Sequence, residues 1–167
     1  MDPTDLGSLL EIEAIKRLKY RYMRCVDLKQ WDELATLFHP DATCAYGDGR
    51  FRFEGRDAIV GWLRSAMDRA GFHSSHTVHH PEITLESADA ASGVWALEDC
   101  VIDTDHGVQI TGSAFYHDRY RKHEGRWQIE HTGYERVFEQ MEPLAERPGR
   151  KLSASMWQSP GDGPRGD

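Results

Sequence analysis

A chain of 167 residues accommodates one domain large enough to enclose a core and a pocket. Its 39% hydrophobic and 29% charged residues suit a globular protein in water, and the longest apolar run, Ala58 to Leu63, is far too short to span a bilayer. The formal net charge of -8, with Lys and Arg interleaved among acids, argues against nucleic acid or an anionic membrane surface as the partner.

The opening stretch MDPTDLGSLLEIEAIKR has neither the basic nor the apolar region of a secretory signal. Three widely spaced cysteines, Cys25, Cys44 and Cys100, show no metal-type pairing and read as reduced thiols, so a cytoplasmic chain is expected.

From Ser8 to about Val26 the apolar positions Ile12, Ile15, Leu18 (or Lys19), Tyr22 and Val26 recur at helical steps. Asp27 and Gln30 resemble a capping box for a short second helix with Trp31, Leu34, Leu37 and Phe38 inward, stopped by His39-Pro40-Asp41. Thr43 to Tyr46 and Arg50 to Glu54 read as a hairpin across Gly47-Asp48-Gly49. A third amphipathic helix follows, with Ile59, Trp62, Leu63, Ala66 and Met67 on one side.

After Gly71 the period changes to two. His76 to Glu86, Ala91 to Asp103, Val108 to Arg121 and Arg126 to Glu139 predict four long strands joined by turns. Helices first and hairpin-linked strands afterwards mean an α+β fold, with a strongly curled antiparallel or mixed sheet around about three N-terminal helices. Residues 8–139 form the expected single domain. Residues 140–167 hold four of the seven prolines, lose periodicity and are expected to be mostly flexible, with Met156 and Trp157 able to dock on a pocket mouth or a neighbouring subunit.

Several candidate functional residues carry two readings. Asp27 is either an N-cap or a pocket carboxylate that lies unfavourably at the end of the first helix dipole. On a helix it lies about 140° from Tyr22, so only a break near Asp27 brings both to one pocket. Asp99 runs in phase with Trp95, Leu97 and Val101 on an apolar face, although Glu98 is the odd residue if both faces are covered. Arg136, in phase with Tyr134 and Phe138, serves equally as a surface ion pair. The polar cluster His73, His76, His79 and His80 suggests acid–base chemistry, a solvated edge or metal. On a strand His76 and His79 point to opposite faces, so no metal is expected.

Four stretches together resemble a known family: Tyr22-Met23-Arg24-Cys25-Val26-Asp27 before Trp31-Asp32-Glu33-Leu34; His76-Thr77-Val78-His79 before Pro81-Glu82-Ile83; Trp95-Ala96-Leu97-Glu98-Asp99; and Thr132-Gly133-Tyr134-Glu135-Arg136. With Ala114-Phe115-Tyr116 and Gly125-Arg126-Trp127, they are similar to the SnoaL-like family of the nuclear transport factor 2-like superfamily, most closely its bile-acid 7α-dehydratases. The resemblance implies a cone-shaped barrel with a deep apolar pocket, and lyase or isomerase chemistry without metal or organic cofactor. It places the functional positions on Tyr22, Asp27, His79, Asp99 and Arg136. Trp95, Tyr116, His131 and Tyr134 are expected around the substrate, with Trp95 and Tyr116 as pocket wall or core and His131 as a second candidate base beside His76.

The expectation is a dehydratase that removes water from a hydrophobic hydroxy-ketone, steroid-like or polyketide-like. A double-bond isomerase or hydrolase, or a non-catalytic oxygenase small subunit or ligand-binding module, is the alternative. The expected partners are the small hydrophobic substrate and further copies of the chain, as a homo-trimer or homo-dimer.

Overall fold

The computed structural model describes residues 5–157 as three helices packed on a six-stranded mixed sheet. Helix α1 spans Leu6–Asp27, α2 Trp31–Leu37 and α3 Arg56–Met67. The strands are β1 (Phe38–Tyr46), β2 (Phe51–Glu54), β3 (Phe72–Leu85), β4 (Ala90–Asp103), β5 (Val108–His123) and β6 (Arg126–Pro143). Their order in the sheet is β2-β1-β6-β5-β4-β3. All neighbours are antiparallel except β1 and β6, so the sheet is mixed. It does not close: β2 and β3 remain as edges.

The Asp5 carboxylate caps α1 by accepting from the Ser8 amide at 3.0 Å. The helix buries Ile15, Leu18, Tyr22 and Val26 as its period predicts, and Lys19 with them. Lys29, at φ 54°, turns the chain into α2. Gln30 precedes α2 without a side-chain cap, so Asp27 does not cap that helix. His39-Pro40-Asp41 lies in β1 rather than in a loop, since the chain is already extended at Phe38.

The long strands alternate cleanly. Along β4 Ala91, Gly93, Trp95, Leu97, Asp99, Val101 and Asp103 are buried, facing α1 and the core. Register shifts break this parity elsewhere, among them one on β3 and one on β6. On β3 the register shifts between His79 and Glu82, where His80 has φ 44°. On β6 it shifts opposite Ser113 and Ala114, which accommodates Val137 as an extra residue.

Strand β3 starts four residues before its expected edge, and β6 runs beyond the 139 boundary to Pro143. A 3-10 turn at Leu144–Glu146 follows. Ser155 Oγ then lies 3.0 Å from His73 Nδ1, and Lys29 Nζ sits 4.3 Å from the centre of the Trp157 ring. Trp157 thus meets the α1–α2 corner, and Met156 is exposed. The rest of the expected flexible tail, residues 158–167, lies outside the described residues.

Candidate active site

Between the inner face of the sheet and helices α1 and α3 lies a cavity of about 240 Å³. Its wall is mainly aromatic and aliphatic, from Tyr22 and Val26 of α1, Tyr46 of β1, Trp62 and Met67 of α3, and Tyr116 and Tyr134 of the sheet. Four side chains in that wall carry or gain charge: His76, Asp99, Arg136 and Glu139.

His76 and Asp27 form one unit. The carboxylate at the C-terminus of α1 meets the start of β3, where His76 Nδ1 lies 2.6 Å from Asp27 Oδ1. Ser74 Oγ donates to the same oxygen at 2.8 Å, and the His76 amide donates to Oδ2 at 2.8 Å. Burial pushes the Asp27 carboxyl up, but the hydrogen bonds and charge of His76, with Ser74, outweigh it and hold it below its usual value. An ionised carboxylate only accepts, so Nδ1 is the donor in this pair, and in the neutral imidazole that tautomer has its lone pair on Nε2. Asp27 does not itself line the cavity. It stands behind His76, which does.

Across the cavity Tyr22 Oη and Tyr46 Oη are 2.9 Å apart and both phenols are buried. Burial raises both well above the ordinary phenol value, so they stay protonated as donors.

Arg136 and Asp99 form the third unit. The guanidinium grips the carboxylate through both terminal nitrogens, with Nη2 to Oδ2 at 3.0 Å and Nη1 to Oδ1 as the second contact. Burial lowers the Arg136 pKa, while the Asp99 hydrogen bonds and charge raise it more, so the net shift is upward. To reach β4 from β6 this side chain crosses β5 at Gly112, which pairs with Asp99. A Cβ there would stand 2.5 Å from Arg136 Nη1 and 3.0 Å from the Phe138 carbonyl oxygen. The glycine is therefore the opening through which the pair forms.

Tyr22, Asp99, Arg136, Tyr116 and Tyr134 come to the cavity, and Asp27 reaches it through His76. Three expected residues do not. His79 pairs with Ala96 on the outward phase of β3, stacks on His80, and its Nε2 is 3.8 Å from the exposed Glu98. Strand parity is the reason: His76 and His79 are three residues apart and face opposite sides. Trp95 is wholly buried in the core, donating from Nε1 to Tyr120 Oη at 2.9 Å. His131 bonds Thr43 at 2.7 Å and lines a separate groove with His117 and Arg52.

Tyr46, Glu139 and the pairing of Asp27 with His76 were not singled out by sequence. Tyr46 carried a signal, standing in phase with Ala42 and Cys44 on an inward strand face. Glu139 carried none, because the Val137 bulge that turns it inward has no mark in the residue pattern. Among the described residues no three of His, Cys, Asp and Glu come together as a metal-ligating group. No helix there is long and apolar enough to cross a membrane.

The fold recurs in solved structures. A Novosphingobium aromaticivorans protein provisionally described as a scytalone dehydratase is 24% identical, covers 79% of this chain and 87% of its own, and has a TM-score of 0.72. The type 3 hexachlorocyclohexane dehydrochlorinase LinA of Novosphingobium barchaimii is 20% identical, covering 85% and 95%, with a TM-score of 0.74. In sequence, the probable cyclase FGR4 of Gibberella zeae is 27% identical over 135 residues, 74% of this chain and 89% of the relative. Residues 7–133 match the SnoaL-like domain, and the chain belongs to that family.

Proposed function

We propose that the protein is a lyase that removes water from a hydrophobic hydroxy-ketone without a cofactor, with His76 as the base. One observation carries this reading: in the cavity wall His76 is fixed by Asp27 through Nδ1, with a buried tyrosine pair in the same cavity. Elimination beside a carbonyl requires a base for a weakly acidic C–H, a donor for the developing enolate and a proton for the leaving hydroxyl.

His76 Nε2 takes the proton from the carbon next to the carbonyl, and the Asp27 carboxylate stabilises the imidazolium that forms. The Tyr22–Tyr46 pair donates to the enolate oxygen from a mainly apolar wall, where such donors act more strongly than in water. The C–H electron pair then becomes the new C=C bond as the C–O bond at the next carbon breaks. The hydroxyl leaves as water with the proton from His76, which is ready for another cycle. Arg136 and Asp99 hold the opposite wall and leave Arg136 as a donor to a substrate oxygen.

The names of the relatives support this class of chemistry, since a dehydratase, a dehydrochlorinase and a cyclase stand among them. The finer resemblance to bile-acid 7α-dehydratases is one of motifs, and the position it assigned to His79 passes here to His76. A double-bond isomerase would use the same base and donors, returning the proton to a distant carbon instead of to a leaving hydroxyl.

The test is a panel of hydroxylated cyclic and polycyclic ketones, followed by the absorbance of a new conjugated enone and by mass. His76→Ala is expected to lower kcat by ~10²–10⁴-fold with little change in KM, because a base acts in the transition state. His79→Ala is expected to stay within about twofold of the wild type, as outward surface changes do. The opposite pattern overturns the assignment, and a product of unchanged mass makes the enzyme an isomerase.

A further inference from the structure

The charge around Arg136 is the feature the reaction above does not explain. A guanidinium in an aromatic cavity is the usual receptor for a carboxylate or phosphate. Here it is already occupied. Asp99, 3% exposed at its side chain, takes both terminal nitrogens, and Glu139 Oε2 lies 3.2 Å from Nε. The Tyr134 ring sits 4.9 Å from the guanidinium carbon and closes one face. Asp27 is matched by His76 on the other side of the cavity. Two carboxylates, Asp99 and Glu139, thus oppose a single guanidinium, and an incoming anion would meet net repulsion where burial weakens screening. A guanidinium has five N–H groups, of which Asp99 takes two and Glu139 flanks a third. What remains suits an uncharged oxygen.

Size narrows the ligand further. An apolar cavity of about 150 Å³ takes one benzene ring, and about 300 Å³ is the low end for a drug-sized ligand. The volume of about 240 Å³ lies between them and fits two fused rings.

Resting on the proposed reaction for its hydroxy-ketone but not for its charge or size, we infer that the ligand is an uncharged molecule of one or two fused rings, and that Glu139 is a specificity-determining residue that bars carboxylates. Such a residue acts against wrong ligands rather than for the right one. At the rim, Glu139 is 36% exposed, so it tunes the preference while the better-buried Asp99 holds the guanidinium.

Acetonaphthone and naphthoate test the charge, because they share size and shape and differ in an acetyl group against a carboxylate. Calorimetry on the wild type is expected to show acetonaphthone binding at least about tenfold tighter than naphthoate. Glu139→Gln is expected to shrink that preference by about threefold, the scale of a partly exposed charge. Androstenedione tests the size and is expected to bind more weakly than acetonaphthone. Naphthoate binding as tightly as acetonaphthone, an unchanged preference in Glu139→Gln, or tighter binding of the steroid overturns the inference. Bicyclic hydroxy-ketones that bind with this preference but are never converted support it, and overturn the proposed reaction instead.

Discussion

At the scale of single residues, the site depends on which of two nearby histidines faces inward. His76 has a carboxylate at 2.6 Å and a cavity beyond it, while His79 has a distant, exposed Glu98. Asp27→Asn checks the arrangement. An amide that donates where the carboxylate accepted favours the other tautomer and places the proton on Nε2. A fall in kcat of ~10²–10⁴-fold is expected by steady-state kinetics, with the variant still folded by circular dichroism. The buried pair of Lys19 and Asp118, 2.7 Å apart with both side chains fully inaccessible, raises a question of stability. Lys19 Nζ also lies 3.5 Å from the centre of the Tyr116 ring, and burial pushes its pKa down. Lys19→Met strands the carboxylate and is expected to destabilise the fold by about 3–5 kcal/mol in urea denaturation. Replacing both partners by apolar residues is expected to restore most of that loss. If the double variant is as unstable as the single one, the pair contributes more than mutual compensation.

At the scale of elements, the sheet brings the site together through its irregularities as much as through its regular parts. The Val137 bulge on β6 keeps Arg136 inward and turns Glu139 inward too, leaving Phe138 exposed. Gly112 on β5 is the matching gap. Gly112→Ala must displace either the Arg136 tip or the β6 backbone. The expected result is a loss of about 1–3 kcal/mol of stability by overpacking, together with reduced turnover as Arg136 leaves Asp99. Wild-type stability and kinetics in this variant would show that the crossing is not constrained. The short α2 and the left-handed Lys29 matter for a similar reason: they end α1 at Asp27, so that its carboxylate reaches β3.

At the scale of the molecule, two properties follow from charge and exposed surface. Asp27 and Asp103 are both held below the usual carboxylate range. In Asp27 burial is outweighed by His76 and Ser74, and in Asp103 by Arg69 and His106. A depressed folded-state pKa contributes stability that is present above the unfolded value and lost as pH falls through the folded one. Stability is therefore expected to decline as pH drops below about 4, the ordinary value for Asp. In a thermal-denaturation series Asp27→Asn should flatten that decline, since an amide has no proton to gain; an equally steep acid limb removes the linkage. The outer face of β5 and β6 exposes Phe115, Val137 and Phe138. Covering them with further copies of the chain is the proposed arrangement, and sedimentation at micromolar concentration is expected to give a dimer or trimer. A monomer alone would exclude it.

The sequence by itself determined the helices, the order of the strands in the chain, the α+β class and the shared phase of Asp99 with Trp95, Leu97 and Val101, because helical and strand periods follow local backbone geometry. The run Trp95, Leu97, Asp99, Val101 needed no partner to be read as one face. Family motifs added Tyr22 and Arg136, whose residue types could be matched in order. Only the tertiary structure decided which histidine meets Asp27, that Tyr46 joins Tyr22, and that Arg136 reaches Asp99. Each of these contacts joins elements distant in the chain: α1 to β3, α1 to β1, and β6 across β5 to β4. The His76 and His79 alternatives turn on a shift of three residues. Such an odd shift reverses the face of a strand while leaving residue types and their order almost unchanged.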